Sequence, residues 1–463
     1  MILQKNLPPR RLDAWLNRSL SSSQFTWREV VSLIFPSVLD SLSITFIGML
    51  ITVLISKNGE ISVAAVSLVG PITGLITCLF SGISAGGTVV VAQCCGKGNP
   101  EILKRAVGMT LWLTVLIGVL VCLPFLLFPE AILLTLYPAA ETAVMEKAVV
   151  YLAGCAWSIM IFSVYTAIFA ILRGLGKSQR CLVLSIVINV AYLLFSLLFL
   201  NVLYMDIQGS VLALILARLI GAAAAYLEIF GYRPPVPMRF REVFSFDKSI
   251  LRNTLKVSIP LGMEQICASC GAIVSEMYMI PLGTTALAAN TIINSLIGVL
   301  YSPANAMPSV TVSIVGRCYG AGKQDEVRRY GKRCDQICRL LILAAAVIFY
   351  PLLPCLLGLY NPSPASYATA QQLIVASFPF LLLFWPVSST MPNTLRAAGD
   401  TVFPSVFSLV LLWVVNIGLG YLLAIPAGLG LLGVWIASWT SWLVRCVGFG
   451  ARFHILCRRS QAN

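Results

Sequence analysis

The chain has 463 residues and a formal net charge of +14, yet only 11% of its residues are charged and 58% are hydrophobic. Soluble globular domains are charged at roughly a quarter of their positions, so this composition excludes one and predicts a protein embedded in a lipid bilayer. The positive charge is spread over many short segments and not gathered in one patch, which excludes nucleic acid as the partner it serves.

In chain order, residues 1–30 open on "MILQKNLPPRRLDAWLNRSL", which is basic and broken by prolines. It lacks the short apolar core of a cleavable signal, so it reads as a cytoplasmic lead-in. Apolar runs long enough to cross a hydrocarbon core as helices follow at 31–55, 61–92, 106–128, 147–171, 181–201 and 209–231. Residues 232–252 form a basic linker loop. Six further runs lie at 255–281, 285–315, 337–360, 368–392, 402–425 and 429–451, and a basic tail closes the chain at 454–463. The fold class expected is therefore an all-α membrane protein of twelve transmembrane helices, with a first lobe over 31–231 and a second over 253–453. With the N-terminus inside, 29 of the 32 Lys and Arg fall on cytoplasmic segments, Lys57 and Lys147 fall outside, and Arg218 lies within a span. This positive-inside asymmetry predicts a multi-pass protein of the plasma membrane with both termini cytoplasmic.

Two local motifs suggest chemistry and fail on context. "VGRCYGAGKQDEVRR" (315–329) looks like a phosphate cradle, but Gly316 and Gly322 are six apart and Gln324 stands where a P-loop needs a hydroxyl. Cys267 and Cys270 form C-x-x-C inside a span, without a second pair at zinc spacing and with His454 as the only histidine.

The glycine-bearing loop has another origin, because the chain repeats itself. A shift of 224 residues brings Pro36 onto Pro260, Ala64 and Ala65 onto Ala288 and Ala289, and Gly96 and Gly98 onto Gly320 and Gly322. The register slips by one so that "LRGLGK" at Leu172 meets "LRAAGD" at Leu395, then recovers with Gly209 on Gly433. Six spans per copy is an even number, so the copies share one orientation as a parallel internal repeat. Two such lobes can rock about a site held between them, which is a transporter plan.

The segments "ALAANTIINSLIG", "GRCYGAGKQDEVRRYG", "LRAAGDTVFPSVFS" and "GLLGVWIASWTSWLVR" resemble the multidrug and toxic compound extrusion (MATE) family. The first half echoes it in "VAAVSLVGPITGL", "GGTVVVAQCCGKGN" and "LRGLGKSQ", so the resemblance runs from about Phe35 to Phe453. It implies an exporter of two six-helix lobes that exchanges H+ or Na+ for organic, often cationic, drugs or metabolites. No cofactor beyond the coupling ion is expected, and a monomer is expected to act alone. The positions where this family often carries acidic residues read Ile51, Ala268, Leu193 and Ser441 here.

Ionisable groups inside spans are costly and therefore candidates for function. Asp40 and Glu264 each lie four residues after the repeat proline; Glu276 lies further along the seventh span, Arg218 in the sixth and Glu228 near the end of the sixth. Counting depth from the span ends predicts that Asp40 and Arg218 meet as a buried ion pair. Glu264 is expected to lack a basic partner, because Trp442 occupies the place of Arg218 in its lobe. That makes Glu264 the expected coupling carboxyl, with Glu276 as its companion. Asn189, Gln265, Asn290, Asn294, Asn305 and Asn416 are polar candidates for the cleft, and Tyr278, Trp157, Phe384 and Trp385 are aromatic candidates for an organic cation. A lipid-linked oligosaccharide flippase shares this plan but needs a strongly cationic cleft, and Arg218 alone of the basic residues is expected to be buried. An intramembrane enzyme would need clustered catalytic groups that the spans lack.

Overall fold

The computed structural model describes residue 21 and residues 23–55, 60–138, 141–231, 234–238, 247–360 and 363–462. Among these residues there is no strand, and twelve helices are long and apolar enough to cross a membrane. In chain order they are α1 (Trp27–Ile47), α2 (Ala65–Gly96), α3 (Pro100–Leu127), α4 (Thr142–Gly174), α5 (Ser178–Val202) and α6 (Ile207–Phe230). The second set is α7 (Lys248–Leu282), α8 (Thr285–Gly320), α9 (Gln324–Gly358), α10 (Pro364–Ala397), α11 (Val402–Ala424) and α12 (Gly430–Arg458). A bilayer core needs only about 20 helical residues. At 35 and 36 residues, α7 and α8 therefore tilt or project beyond the core.

Local chemistry fixes where these helices begin and end. Before α1, Thr26 and Glu29 cap each other: the Glu29 carboxylate accepts from Thr26 N at 2.8 Å and Thr26 Oγ1 accepts from Glu29 N at 3.4 Å. Asn99 Oδ1 accepts from Glu101 N at 3.0 Å, and Pro100 follows it in the first turn of α3. Asp247 caps α7 by accepting from Ser249 N and Ile250 N. Gly98 and Gly322 close α2 and α8 at φ of 68° and 74°, a region where glycine alone is unstrained. α7 thus starts inside the 232–252 expected for the linker, and the last helix continues through Ala462 across the expected tail.

The helices form two six-helix lobes related by a parallel repeat. In the first, α2 packs on α3 and α4, α4 on α6, and α5 on both α1 and α6. In the second, α8 packs on α9 and α10, α12 on α10 and α11, and α11 on α7. The lobes meet where α2 packs on α7 and α8, and where α1 packs on the middle of α8.

Glycines bring the lobes close at one end of the molecule. A Cβ at Gly96 would strike the Arg317 carbonyl, and a Cβ at Gly320 would strike the Gln93 carbonyl. These two contacts are images of each other under the 224-residue shift, so α2 and α8 cross on the pseudo-twofold axis. Around the crossing, Gln93 Nε2 donates to Ala397 O at 2.9 Å and Ser313 Oγ donates to Arg173 O at 2.6 Å. Arg317 donates to the Leu175 carbonyl. The end of the molecule where α2, α4, α8 and α10 terminate is sealed by these bonds.

The candidate cavity and its ion pairs

A cavity of about 570 Å³ lies between the lobes, lined mostly by the first. It falls within the size range of drug-binding pockets, roughly 300–1,000 Å³. Ser84 and Thr88 of α2, Ser185, Asn189 and Tyr192 of α5 and Arg218 of α6 line it, with Phe162, Tyr165, Phe169 and Arg173 of α4. The opposite wall belongs to the second lobe: Leu261 of α7, Asn305 and Ser309 of α8, and Asn393 of α10. Asn305 lies in a 3-10 turn of α8 over Ser302–Ala306, which carries Pro303 near its start.

The α4 face is a ladder of rings. Phe162 stacks on Tyr165 at 5.1 Å between centroids, and Tyr165 stacks on Phe169 at 5.4 Å. The guanidinium of Arg218 sits 4.7 Å from the centroid of Phe162, and that of Arg173 sits 4.4 Å from the centroid of Phe169. Cation–π contacts therefore hold an arginine over each end of the ladder.

The expected pair of Asp40 with Arg218 does not form. Asp40 Oδ2 accepts from Arg173 at 3.2 Å, and Arg218 donates instead to Ser158 Oγ at 2.7 Å. Depth alone brings Asp40 and Arg218 level, but α1 packs on α5 while Arg218 faces α4 from α6. Glu264 is likewise not alone. It is bound by Arg396, which is 4% exposed, and Arg445 of α12 lies close enough to act on the same carboxylate electrostatically. The expectation that Arg218 alone would be buried is corrected too, since Arg396 is more deeply enclosed. The apolar runs of the sequence end before Arg173 and Arg396, whereas α4 and α10 continue past both.

The corrected pairs are one motif written twice. Asp40 and Glu264 are repeat equivalents, and so are Arg173 and Arg396. Their exposures are opposite: the side chain of Asp40 is 3% exposed against 35% for Arg173, while Arg396 is 5% exposed against 19% for Glu264. Asp40 Oδ1 is buried and has no hydrogen-bond donor among the described residues.

Of the other candidates, Asn189 and Asn305 line the cavity, and Asn189 also donates to Ser185 O at 2.8 Å. Gln265, Asn294 and Glu276 are exposed outside it, and Asn290 is buried in the second lobe. Trp157 is exposed, Tyr278 donates to Asn416 O at 3.5 Å, and Trp385 stacks on Tyr301. The aromatics that do line the cavity are signalled only by the spacing of Phe162, Tyr165 and Phe169 on one face of a helix.

Twelve spans in two repeated lobes, with a drug-sized cavity walled by both, define a transporter architecture. The MatE family model matches residues 36–198 and 260–422, once in each lobe. The chain belongs to the MatE family, whose members are multidrug efflux transporters and not enzymes. It is 28% identical over 421 residues to the uncharacterized transporter YisQ of Bacillus subtilis, covering 88% of this chain and 89% of the relative. It is 22% identical over 420 residues to the probable multidrug resistance protein NorM of Thermotoga maritima, covering 88% of each. Its fold matches the outward-facing conformation of a multidrug resistance MATE family transporter with a TM-score of 0.88 at 19% identity, over 94% of this chain and 96% of the other.

Proposed function

We propose that the chain is a secondary active exporter, monomeric and resident in the plasma membrane with both termini cytoplasmic, that exchanges H+ or Na+ for small organic compounds. The observation that carries this reading is a cavity walled by both lobes and lying beside an end sealed on the repeat axis. Separating the lobes at the Gly96 and Gly320 crossing opens that end, so rocking exposes the cavity alternately. The Lys and Arg bias of the loops at the sealed end supports a cytoplasmic placement for it.

Asp40 is the acid we propose for coupling. Its Oδ2 engages an arginine of the cavity wall, and its buried Oδ1 is an acceptor with no donor among the described residues. Glu264, the acid favoured from sequence, is engaged by Arg396 and Asp40 by Arg173; of the two pairs only that of Asp40 has its arginine on the cavity wall. A lipid-linked oligosaccharide flippase is the second reading, favoured by the two arginines on the cavity wall.

Efflux from proteoliposomes under an imposed proton or sodium gradient tests the proposal with a panel of small aromatic compounds of either charge. Gradient-driven movement in the wild type, abolished in Asp40→Asn, is expected. Movement of labelled lipid-linked saccharide with no movement of any soluble compound overturns it in favour of the flippase.

A further inference from the structure

The wall of the cavity carries two arginines and, among the residues that line it, no carboxylate. Arg173 is matched by Asp40 behind it, which leaves the charge of Arg218 uncompensated. Arg218 has a neutral acceptor in Ser158 and a ring in Phe162, and none of the described acids is within ion-pairing distance of it. A charge taken out of water without a counterion is strongly unfavourable, so a ligand that brings one is bound preferentially. The rings that could attract a cation already carry guanidinium groups at their ends. Between those ends Phe162, Tyr165 and Phe169 offer a flat face of rings, roughly 10 Å long from residue 162 to residue 169 along α4.

We infer that this cavity takes a planar aromatic anion, a carboxylate or sulfonate, with its acidic group on Arg218 and its ring along the α4 ladder. The inference rests on the export reading and names its substrate class, in place of the cation that the family resemblance implies. Arg218 is the specificity determinant, because it supplies the one lining charge that the protein does not balance. Anion export also runs with an inside-negative membrane potential.

The test is binding of naphthalene-2-sulfonate and of the similarly sized naphthyl-trimethylammonium to the protein in nanodiscs, by calorimetry, with efflux of both from proteoliposomes. The sulfonate is expected to bind at least tenfold tighter than the ammonium compound. Arg218→Gln is expected to remove that preference and Arg218→Lys to retain it. Ser84→Asp, which adds a carboxylate to the wall and leaves every arginine in place, is expected to reverse it and decides the matter should Arg218→Gln fail to fold. Preference for the ammonium compound in the wild type, or an unchanged sulfonate affinity in folded Arg218→Gln or in Ser84→Asp, overturns the inference. Binding decides this inference and efflux decides the export reading. A chain that binds the sulfonate but moves neither probe supports the first and contradicts the second.

Discussion

Asp40 with Arg173 and Glu264 with Arg396 are equivalent by repeat, but they bury opposite members of the pair. Removing one partner of a buried ion pair costs about 3–5 kcal/mol when the charge left behind is enclosed, and less when water reaches it. In the first lobe the enclosed member is the acid, so Arg173→Met should destabilise more than Asp40→Asn. In the second lobe the enclosed member is the arginine, so Glu264→Gln should destabilise more than Arg396→Met. Thermal unfolding of the four variants in one detergent checks this crossed order. The same order of acid and arginine in both lobes would show that exposure does not govern the cost. The repeat register alone puts these four residues in matching positions. What it lacks is the facing of α1 toward α5 and the extension of α4 and α10 past the apolar runs, neither of which leaves a periodic mark in the sequence.

Helix ends and crossings set the next scale. By sequence Gly96 and Gly320 stand out only as matching positions of the repeat, and the turns themselves are made by Gly98 and Gly322. The first two instead let α2 and α8 touch through backbone, a role no local pattern distinguishes because it depends on the other lobe. Gly96→Val or Gly320→Val should therefore prise the seal open while each lobe stays folded. Peptide-resolved alkylation should show Cys94 and Cys318, both buried beside the crossing, reacting several-fold faster than in the wild type. Unchanged rates would place the seal elsewhere. The start of α7 gives a prediction in pH. Hydrogen bonds, first that from Ile250 N, hold the Asp247 carboxyl below its ordinary value of 3.8, aided by Arg105. The folded pKa is the lower one, so the cap stabilises above the unfolded value and its contribution is lost as pH falls through the folded value. Asp247→Ala should cost about 1 kcal/mol at neutral pH, and the gap to wild type in unfolding temperature should shrink as the pH falls below about 4. A gap that widens with acid would contradict the capping account. Span number and the repeat are legible because both are written in hydropathy and spacing. The π turns at Leu197–Val202 and Leu412–Leu419 are not, since neither contains a proline or another local signal that marks it.

For the whole molecule, the proposed transport cycle requires the two lobes to exchange one seal for another about the cavity between them. Gln179 at the start of α5 and Val402 at the start of α11 are repeat equivalents, exposed at the sealed end on opposite lobes. Spin labels at these two positions, on a background with the native cysteines replaced, report the separation of the lobes by double electron–electron resonance. The account predicts two distance populations, the shorter matching the sealed arrangement. Their balance should shift when the coupling ion or the transported compound is added, and should no longer respond to the ion in Asp40→Asn. A single distance that neither the ion nor any transported compound moves would contradict it.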